Sequence, residues 1–355
     1  MTKYTYKIIG VMSGTSLDGI DLIYATYNVN ENWDFKIHNA ETIKYSPQWQ
    51  IVLSGLVNQS MDHLQAIDTE YSEYLATVIS AFIAKYKIED IDFIASHGHT
   101  ALHQPKKGVT YQIGNQQILS DVLNEKVICD FRVEDVELGG QGAPLVPIGD
   151  RLLFNNFDYC LNLGGFANIS FESKNERIAY DICPVNIVLN HYVSKLGFDY
   201  DDKGEIASTG NINQDLLFQL NALQYYKEKP PKSLGLEWVN NNVFPLIDKF
   251  KLLTHDILST YVEHIAIQIS KVLQQEDSKV LITGGGVFND FLIYKTQWFS
   301  KSEIIIPENE IVEFKEALIF GLLGVLKERN EVNCLKSVTG AKRNHSSGKI
   351  LIPKK

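Results

Sequence analysis

Hydrophobic residues follow two different periods along the first half of the chain. Three segments predict strands, the third with partial alternation of apolar and polar positions; they are 4–12, 20–28 and 35–45. The segment 66–86 instead repeats its apolar positions at spacings of three and four, which predicts one apolar face of a helix; this face comprises Leu75, Val78, Ile79, Phe82 and Ile83. Short apolar segments at 91–96 and 127–130 predict two further strands.

The second half begins with the same pattern. Segments 159–163, 168–172 and 177–181 read as three strands, and 184–196 reads as a helix that an early Pro184 opens. The chain then continues with strands at 279–283 and 304–306 and a final helix at 313–328.

Two βββαβα units predict an α/β fold of two domains with a cleft between them. We expect the domain break near 144–150, so that the first domain spans 1–148 and the second spans 149–333. The polar segment 334–355 could pack back on the first domain.

Composition narrows the class of protein. The chain has 355 residues, of which 45% are hydrophobic and 21% charged, so a packed fold is expected rather than disorder. Its net charge of −10 argues against a general nucleic-acid binder, which would carry a basic surface. The longest apolar run, 317–326, is too short to span a membrane. Four scattered cysteines without a C-x-x-C pair favour the reduced cytoplasm over a disulfide scaffold or zinc ribbon.

Three glycine turns, each after a short apolar strand, are the candidate nucleotide-binding segments. Glycine lets backbone N–H groups approach a phosphate without a Cβ in the way. The candidate ATP-binding residues are Gly14, Thr15, Ser16, Leu17, Asp18, Gly19, Ile20 and Asp21 in the first turn, Gly164, Gly165 and Asn168 in the second, and Gly284, Gly285 and Gly286 in the third. The carboxylates of Asp18 and Asp21 are candidates to hold Mg²⁺ through bound water.

These turns match neither of the common phosphate-binding fingerprints. The G-x-x-x-x-G-K-[ST] loop is absent, and the first two turns join strand to strand, whereas a dinucleotide fingerprint joins strand to helix. A single turn of this kind is more often a simple tight hairpin. Two hairpins at equivalent points of two repeats would, however, bind a nucleotide's phosphates from both sides of a cleft.

Several longer motifs resemble the anhydro-N-acetylmuramic acid kinase family. The most specific is the block Gly-Gly-Gln-Gly-Ala-Pro-Leu-Val-Pro at 139–147. The other matching segments are 11–21, 96–100, 130–132, 162–168, 230–233 and 339–341. The resemblance implies the two-domain fold shared by sugar kinases and actin, with ATP and Mg²⁺ in the interdomain cleft. It also implies a cytoplasmic homodimeric enzyme of cell-wall recycling, which converts 1,6-anhydro-N-acetylmuramic acid, ATP and water to N-acetylmuramic acid 6-phosphate and ADP.

The resemblance assigns the catalytic base to Asp181, at the end of the third strand of the second repeat. This residue matches the first position of the family motif Asp-Thr-Gly-Pro-Gly-Asn, which here reads Asp181-Ile182-Cys183-Pro184-Val185-Asn186. The threonine and both glycines are replaced, so the shape of this loop and the turnover rate are open. The alternative role for Asp181 is to cap a helix that starts at the proline. Cys183 is a nucleophile by position, but a buried structural thiol is the better expectation.

Candidate substrate-binding residues are His97, His99, Thr100, Arg132 and Asn186. Arg132 suits the carboxylate of the muramic lactyl group, because a guanidinium binds a carboxylate through two hydrogen bonds. The alternative is a structural ion pair with Glu134 or Asp135. The family usually has glutamine at the position of His99, which favours a sugar contact.

Other readings of the sequence remain open. His97, His99 and His103 could hold a metal ion, with the first two on one face of a strand. The chain could be a kinase of a different sugar on the same fold. It could also be a catalytically degenerate sensor of nucleotide or sugar, which the altered motif after Asp181 favours.

Overall fold

The computed structural model describes residues 3–14 and 17–354. Its strands are β1 (Thr5–Ser13), β2 (Gly19–Val29), β3 (Trp33–Lys44), β4 (Phe93–Ser96), β5 (His99–Gln104), β6 (Val109–Ile113), β7 (Val127–Cys129), β8 (Tyr159–Leu163), β9 (Phe166–Ser173), β10 (Glu176–Pro184), β11 (Lys279–Thr283), β12 (Glu303–Ile305) and β13 (Lys349–Leu351).

The α-helices vary in length from a single turn to 26 residues. They are α1 (Pro47–Ser54), α2 (Met61–Tyr86), α3 (Gln117–Leu123), α4 (Val133–Glu137), α5 (Pro147–Leu153), α6 (Asn186–Val193), α7 (Glu205–Ser208), α8 (Gln214–Asn221), α9 (Leu236–Asn242), α10 (Phe244–Asp248), α11 (Thr254–Ser270), α12 (Asp290–Phe299), α13 (Asn309–Glu328) and α14 (Lys336–Thr339).

The two main sheets share the same topology over five strands, and the first also has β13 at its edge, antiparallel to β7. The first has the strand order β13-β7-β4-β1-β2-β3, and the second has the order β10-β9-β8-β11-β12. In each, the first three strands form an antiparallel meander, and the next strands are added parallel to the first one. The expected α/β class with duplicated βββαβα units is therefore confirmed. A separate two-stranded sheet, β5 with β6, has no counterpart in the predicted repeat.

Each sheet has its own hydrophobic core. In the first, Ile9 and Val11 of β1 pack in one cluster with Leu75 and Ile79 of α2, which confirms the apolar face predicted for that helix. This helix begins where the Ser60 hydroxyl accepts a hydrogen bond from the backbone of the first turn. In the second unit, β8 to β11 share a core with α6, α8 and α11.

The chain divides into two compact units that differ from the expected domains at both boundaries. One unit is Met1–Leu153 together with Phe314–Lys355, and the other is Phe154–Glu313. The first unit therefore keeps 149–153 and receives most of α13, as well as the segment after 333. The sequence repeat suggested that α13 belongs to the second domain, because it follows the last strand of the second repeat.

Close packing against the first sheet explains where α13 belongs. A Cβ on Gly321 would come 2.4 Å from the hydroxyl of Tyr27, and one on Gly324 would come 2.6 Å from Ala95. The Tyr27 hydroxyl donates to the carbonyl of Leu318 at 2.5 Å. Glycines on one helix face thus let α13 lie directly on β1, β2 and β4, and β1 is buried on both faces.

Two local expectations are also corrected. Pro184 ends β10 instead of opening a helix, and α6 begins at Asn186. His97 lies in the link between β4 and β5, so it does not share a strand face with His99. Within the described residues, no helix is both long enough and apolar enough to cross a membrane.

Candidate active site

The first glycine turn joins β1 to β2, and its base is fixed by a buried polar network. Ser13 ends β1, and its Oγ lies 2.6 Å from the Tyr45 hydroxyl and 2.8 Å from Nδ1 of His99. The Tyr71 hydroxyl donates to the same oxygen at 3.1 Å. Burial lowers the pKa of His99 to about 4, so its imidazole is neutral at pH 7. His99 therefore supports the start of this turn.

Past Ser13, the structure describes Gly14 and then Leu17 to Gly19 of this turn. Gly14 is half-buried, Leu17 has a φ of 63°, and Gly19 begins β2. Thr15 and Ser16, both candidate ATP contacts, lie outside the described residues. A Cβ on Gly19 would come 2.6 Å from the carbonyl oxygen of Ile43, so the close approach of β3 requires glycine there.

The two candidate Mg²⁺ residues differ in exposure. Asp18 is exposed in the turn, and Asp21 is half-buried on β2, next to Ile20 of the buried core. The hydroxyl of Thr42 donates to Oδ1 of Asp21 at 2.6 Å. Carboxylate oxygens at a glycine turn are suitable donors for Mg²⁺, which prefers oxygen and keeps several water ligands.

The two glycine turns of the second unit pack against each other. Gly284 has a φ of 85°, and a Cβ there would lie 2.6 Å from Oδ1 of Asn162. A Cβ on Gly286 would lie 2.7 Å from Cβ of Leu163, the residue before the Gly164-Gly165 hairpin. The sequence predicted both turns but gave no sign that they touch. By contrast, Gly285 has open space where a Cβ would lie.

The Gly164-Gly165 hairpin also holds the start of α6. The carbonyl of Gly165 accepts from the backbone of Val185 at 2.8 Å, and that of Gly164 accepts from Asn186 at 3.3 Å. Asn186, a candidate substrate contact, is the first residue of α6 and half-buried. The hairpin and the segment after Asp181 therefore form one connected structure.

Asp181 lies on β10 with both carboxylate oxygens engaged. The backbone N–H of Leu234 donates to Oδ2 at 2.8 Å, and Nδ2 of Asn168 donates to Oδ1. Burial raises the pKa of Asp181, while these two donors act against that rise. The alternative role as a helix cap is wrong, because α6 starts five residues later and its first N–H groups bond to the hairpin.

The residues that replace the family motif point into the core. A bulge at Ile182 interrupts the pairing of β10 with β9. Ile182, Cys183 and Val185 are buried in the hydrophobic core of the second unit. Burial raises the pKa of the Cys183 thiol, so it is no activated nucleophile.

A segment whose role the sequence did not reveal packs against Asp181. The hydroxyl of Tyr225 donates to the Asp181 carbonyl at 2.5 Å, and the Lys232 ammonium lies 4.3 Å from the centre of the Tyr225 ring. The Lys232 carbonyl also accepts from the Asp181 backbone N–H at 3.4 Å. The match of 230–233 to a family block was the one available signal, and it gave no role.

His97 and Arg132 form a pair in the first unit. Nδ1 of His97 lies 2.8 Å from the Gly98 carbonyl, which can only accept, so Nε2 is free to accept from Nε of Arg132, also at 2.8 Å. Nη1 of Arg132 donates to the Gly142 carbonyl at 2.6 Å. Burial, assisted by the arginine charge, lowers the pKa of His97 well below its usual value.

This pairing tests the alternative of a structural ion pair between Arg132 and Asp135. The Asp135 oxygens accept from Thr339 and from the Gly142 backbone, while the guanidinium of Arg132 is used for His97 and a carbonyl. An ion pair with Asp135 is therefore not what positions Arg132.

The histidine metal site is not supported either. Across residues 3–14 and 17–354, His97, His99 and His103 join no group of three or more potential metal ligands. His103 is exposed and bonds to Thr110, and Thr100 is half-buried on β5.

Comparisons with known proteins match nearly the whole chain to one family model. Residues 6–353 match the family model described as anhydro-N-acetylmuramic acid kinase. A protein of that name from Pasteurella multocida is 32% identical over 99% of this chain and 98% of its own length. Another, from Francisella tularensis subsp. novicida, is 31% identical over 99% of each chain. Among solved structures, the activator of 2-hydroxyisocaproyl-CoA dehydratase from Clostridium difficile overlaps 91% of this chain and 96% of its own at 12% identity, with a TM-score of 0.45.

Proposed function

This chain belongs to the anhydro-N-acetylmuramic acid kinase family, and from that premise we propose that it is an ATP-dependent sugar kinase of peptidoglycan recycling. Its reaction opens 1,6-anhydro-N-acetylmuramic acid with water and transfers the γ-phosphoryl group of ATP, giving N-acetylmuramic acid 6-phosphate and ADP. The observation that carries the proposal is the carboxylate of Asp181, which is oriented by Leu234 and Asn168 beside a glycine hairpin.

Asp181 is the proposed general base. Its carboxylate takes a proton from the water that attacks the anomeric carbon, and the bond from that carbon to the bridging oxygen breaks. The freed sugar oxygen then forms a bond to the γ-phosphorus while the bond to the β-phosphate oxygen breaks and ADP leaves. A raised pKa suits this role, since a stronger base takes the proton more readily once it is ionised.

The glycine turns are the proposed ATP site. In this proposal the first turn binds phosphate through Gly14, Leu17, Gly19 and Ile20, together with Thr15 and Ser16. Gly164, Gly165, Asn168 and the turn at 284–286 contribute from the second unit. Mg²⁺, held by Asp18 and Asp21 through water, would neutralise phosphate charge. A shared cleft for these groups stays a prediction.

The sugar is the proposed ligand of the His97 and Arg132 pair. Arg132 is already oriented by His97 and the Gly142 carbonyl, so its remaining N–H groups can bind the lactyl carboxylate at little cost in side-chain entropy. His99, Thr100 and Asn186 are the other proposed sugar contacts.

Release of ADP from purified protein tests the proposal. We expect ADP with 1,6-anhydro-N-acetylmuramic acid and ATP, and none without the sugar. ADP with a different sugar alone would mean another kinase on this fold. Binding heat with the anhydro sugar but no ADP would mean a sensor, and either result would overturn the proposal.

We further propose a cytoplasmic homodimer. All four cysteines are buried thiols, which suits a reducing compartment. Analytical ultracentrifugation of the full chain tests the dimer, and a monomer at micromolar concentration would contradict it.

A further inference from the structure

Three potential metal ligands, none of them assigned to the kinase reaction, meet in the interior of the first unit next to Gly142, which Arg132 also contacts. They are Asp135 on α4, and Cys334 and His345 in the C-terminal segment. One ligand atom from each, a carboxylate oxygen, Sγ and an imidazole nitrogen, lies within 4.8 Å of the other two. All three residues are buried, and Asp135 is completely shielded from solvent.

The imidazole of His345 is oriented as a metal ligand usually is. Its Nδ1 lies 3.1 Å from the Arg343 carbonyl, which can only accept, so Nδ1 carries the proton. Metal-binding histidines commonly donate their other ring N–H to a carbonyl in this way. Nε2 is buried and has no hydrogen-bond partner among the described residues. When the ring is neutral, Nε2 points its lone pair at the Asp135 carboxylate. Two electron-rich atoms that face each other repel unless a cation lies between them.

The distances suit a tetrahedral ion. Nε2 of His345 lies 3.5 Å from Oδ1 of Asp135. Around zinc, nitrogen and oxygen ligands at about 2.0–2.1 Å are separated by about 3.3–3.4 Å when the angle is tetrahedral.

The Asp135 carboxylate is also held in place by other groups. Thr339 donates to Oδ1 and the Gly142 backbone donates to Oδ2, each at 2.7 Å. Such outer hydrogen bonds fix a ligand's orientation, and an oxygen with two lone pairs can accept one of them and still bind a metal.

The two C-terminal ligands are themselves paired through the backbone. Cys334 and His345 form an isolated antiparallel bridge, with N–H to carbonyl distances of 3.1 and 3.2 Å. Both ligands are therefore fixed relative to each other before any ion binds, which lowers the entropy lost on binding.

We propose that Asp135, Cys334 and His345 form a structural site for Zn²⁺ that ties the C-terminal segment to α4. A carboxylate, a thiolate and a neutral imidazole balance the charge of the ion, so the buried site is neutral overall. Sulfur, nitrogen and oxygen donors together suit zinc better than Mg²⁺. Three protein ligands leave a fourth position for water or a nearby hydroxyl.

Metal content of the full-length protein tests the site. After incubation with Zn²⁺ and dialysis, we expect about one tightly held zinc ion per chain and a higher melting temperature. Cys334→Ser and His345→Gln each remove one ligand. Removing a residue that only hydrogen-bonds to a metal ligand typically weakens metal binding by roughly 10–100-fold. Removing a ligand itself should weaken zinc binding at least as much. Cys129→Ser, which alters another buried cysteine of the same unit, is the matched control and should keep the zinc.

Cobalt provides a readout of the sulfur ligand. Co²⁺ in place of zinc should give a thiolate-to-metal charge-transfer band in the near ultraviolet, and Cys334→Ser should abolish that band while Cys129→Ser keeps it. No retained metal in the native chain would overturn the proposal. Equal zinc retention in Cys334→Ser and the native chain would overturn it as well.

Discussion

Two opposing effects act on the carboxylate of Asp181. Burial disfavours its charge and raises its pKa, whereas the N–H groups of Leu234 and Asn168 favour the charge. Burial has the larger effect, so the folded chain holds this group as a stronger base than a free aspartate. The sequence placed the residue at the end of a strand, but its backbone donor comes from a loop more than fifty positions later and leaves no pattern in the sequence.

Asp181→Asn should fold normally and lose turnover. The amide cannot accept a proton from water, so kcat should fall by roughly 10²–10⁴-fold. Removing a charge that burial disfavours stabilises the fold, whereas the amide nitrogen leaves one of the two donors without an acceptor, so the melting temperature at pH 7 should change little. Steady-state kinetics and thermal unfolding check both parts. An unchanged kcat would remove Asp181 from the mechanism.

Asn168→Ala should move the acid limb of the pH profile. The variant loses a donor that favours the ionised carboxylate, so the pKa of Asp181 should rise further, and kcat/KM for the sugar should begin to increase only at a higher pH. The control is Asn190→Ala, an exposed asparagine on α6. A limb that stays in place, or moves to lower pH, would contradict this assignment of the base.

Arg132→Lys should weaken binding of the sugar without a matching loss of kcat. A lysine cannot donate to His97 and Gly142 and also bind a carboxylate through two N–H groups. One charge-assisted hydrogen bond contributes about 1.5–3 kcal/mol, so KM should rise by about 10- to 100-fold. Arg329→Lys, at the ion pair with Glu331, is the control. The same anhydro sugar without its lactyl group should bind equally to Arg132→Lys and the native chain, and a difference there would count against the carboxylate contact.

At the scale of elements, contact between two glycine turns organises the second unit. Gly284 and Gly286 abut Asn162 and Leu163 at the end of β8, and the hairpin that follows accepts the first N–H groups of α6. The three residues that depart from the family motif have their side chains in the core rather than in this turn. The glycines could be recognised in the sequence, but their mutual contact depends on the parallel pairing of β8 with β11.

Gly284→Ala should destabilise the fold, whereas Gly285→Ala should not. The first substitution places a Cβ 2.6 Å from Asn162 at a φ of 85°, whereas the second finds no atom within 4 Å. We expect a cost of roughly 1–3 kcal/mol for Gly284→Ala and under about 0.5 kcal/mol for Gly285→Ala. Urea unfolding of the two variants compares them directly, and equal stabilities would mean that the turns do not pack as described.

At the scale of the whole molecule, the two repeats could be predicted from the sequence, but the boundaries of the two units could not. Alternating strands and the face of α2 were readable because each has a regular period. The helix α13 is apolar on most sides, so its sequence did not indicate which sheet it covers. It packs on the first sheet because Gly321 and Gly324 allow close approach to Tyr27 and Ala95. The short β13, which pairs antiparallel with β7, was also missed, because three residues are too few to show a period.

Removing the residues after Asn333 should destabilise the first unit. The chain would lose β13, the Thr339 hydroxyl that bonds to Asp135, and the buried Leu335, whose burial alone contributes about 1.5–3 kcal/mol. Calorimetry should show a lower melting temperature for part of the molecule. A chain that ends at Pro353 is the control, and an unchanged profile in the shorter chain would show that the segment adds nothing to the fold.

The division of the first unit into two stretches has a consequence for biosynthesis. The ribosome completes 154–313 before it releases 314–355, so the inserted half has all of its strands and helices while its neighbour still lacks α13 and an edge strand. Domains generally fold as units during synthesis. The first unit is therefore started before the second and completed after it. Until α13 has been synthesised, one face of β1 lacks the helix that covers it.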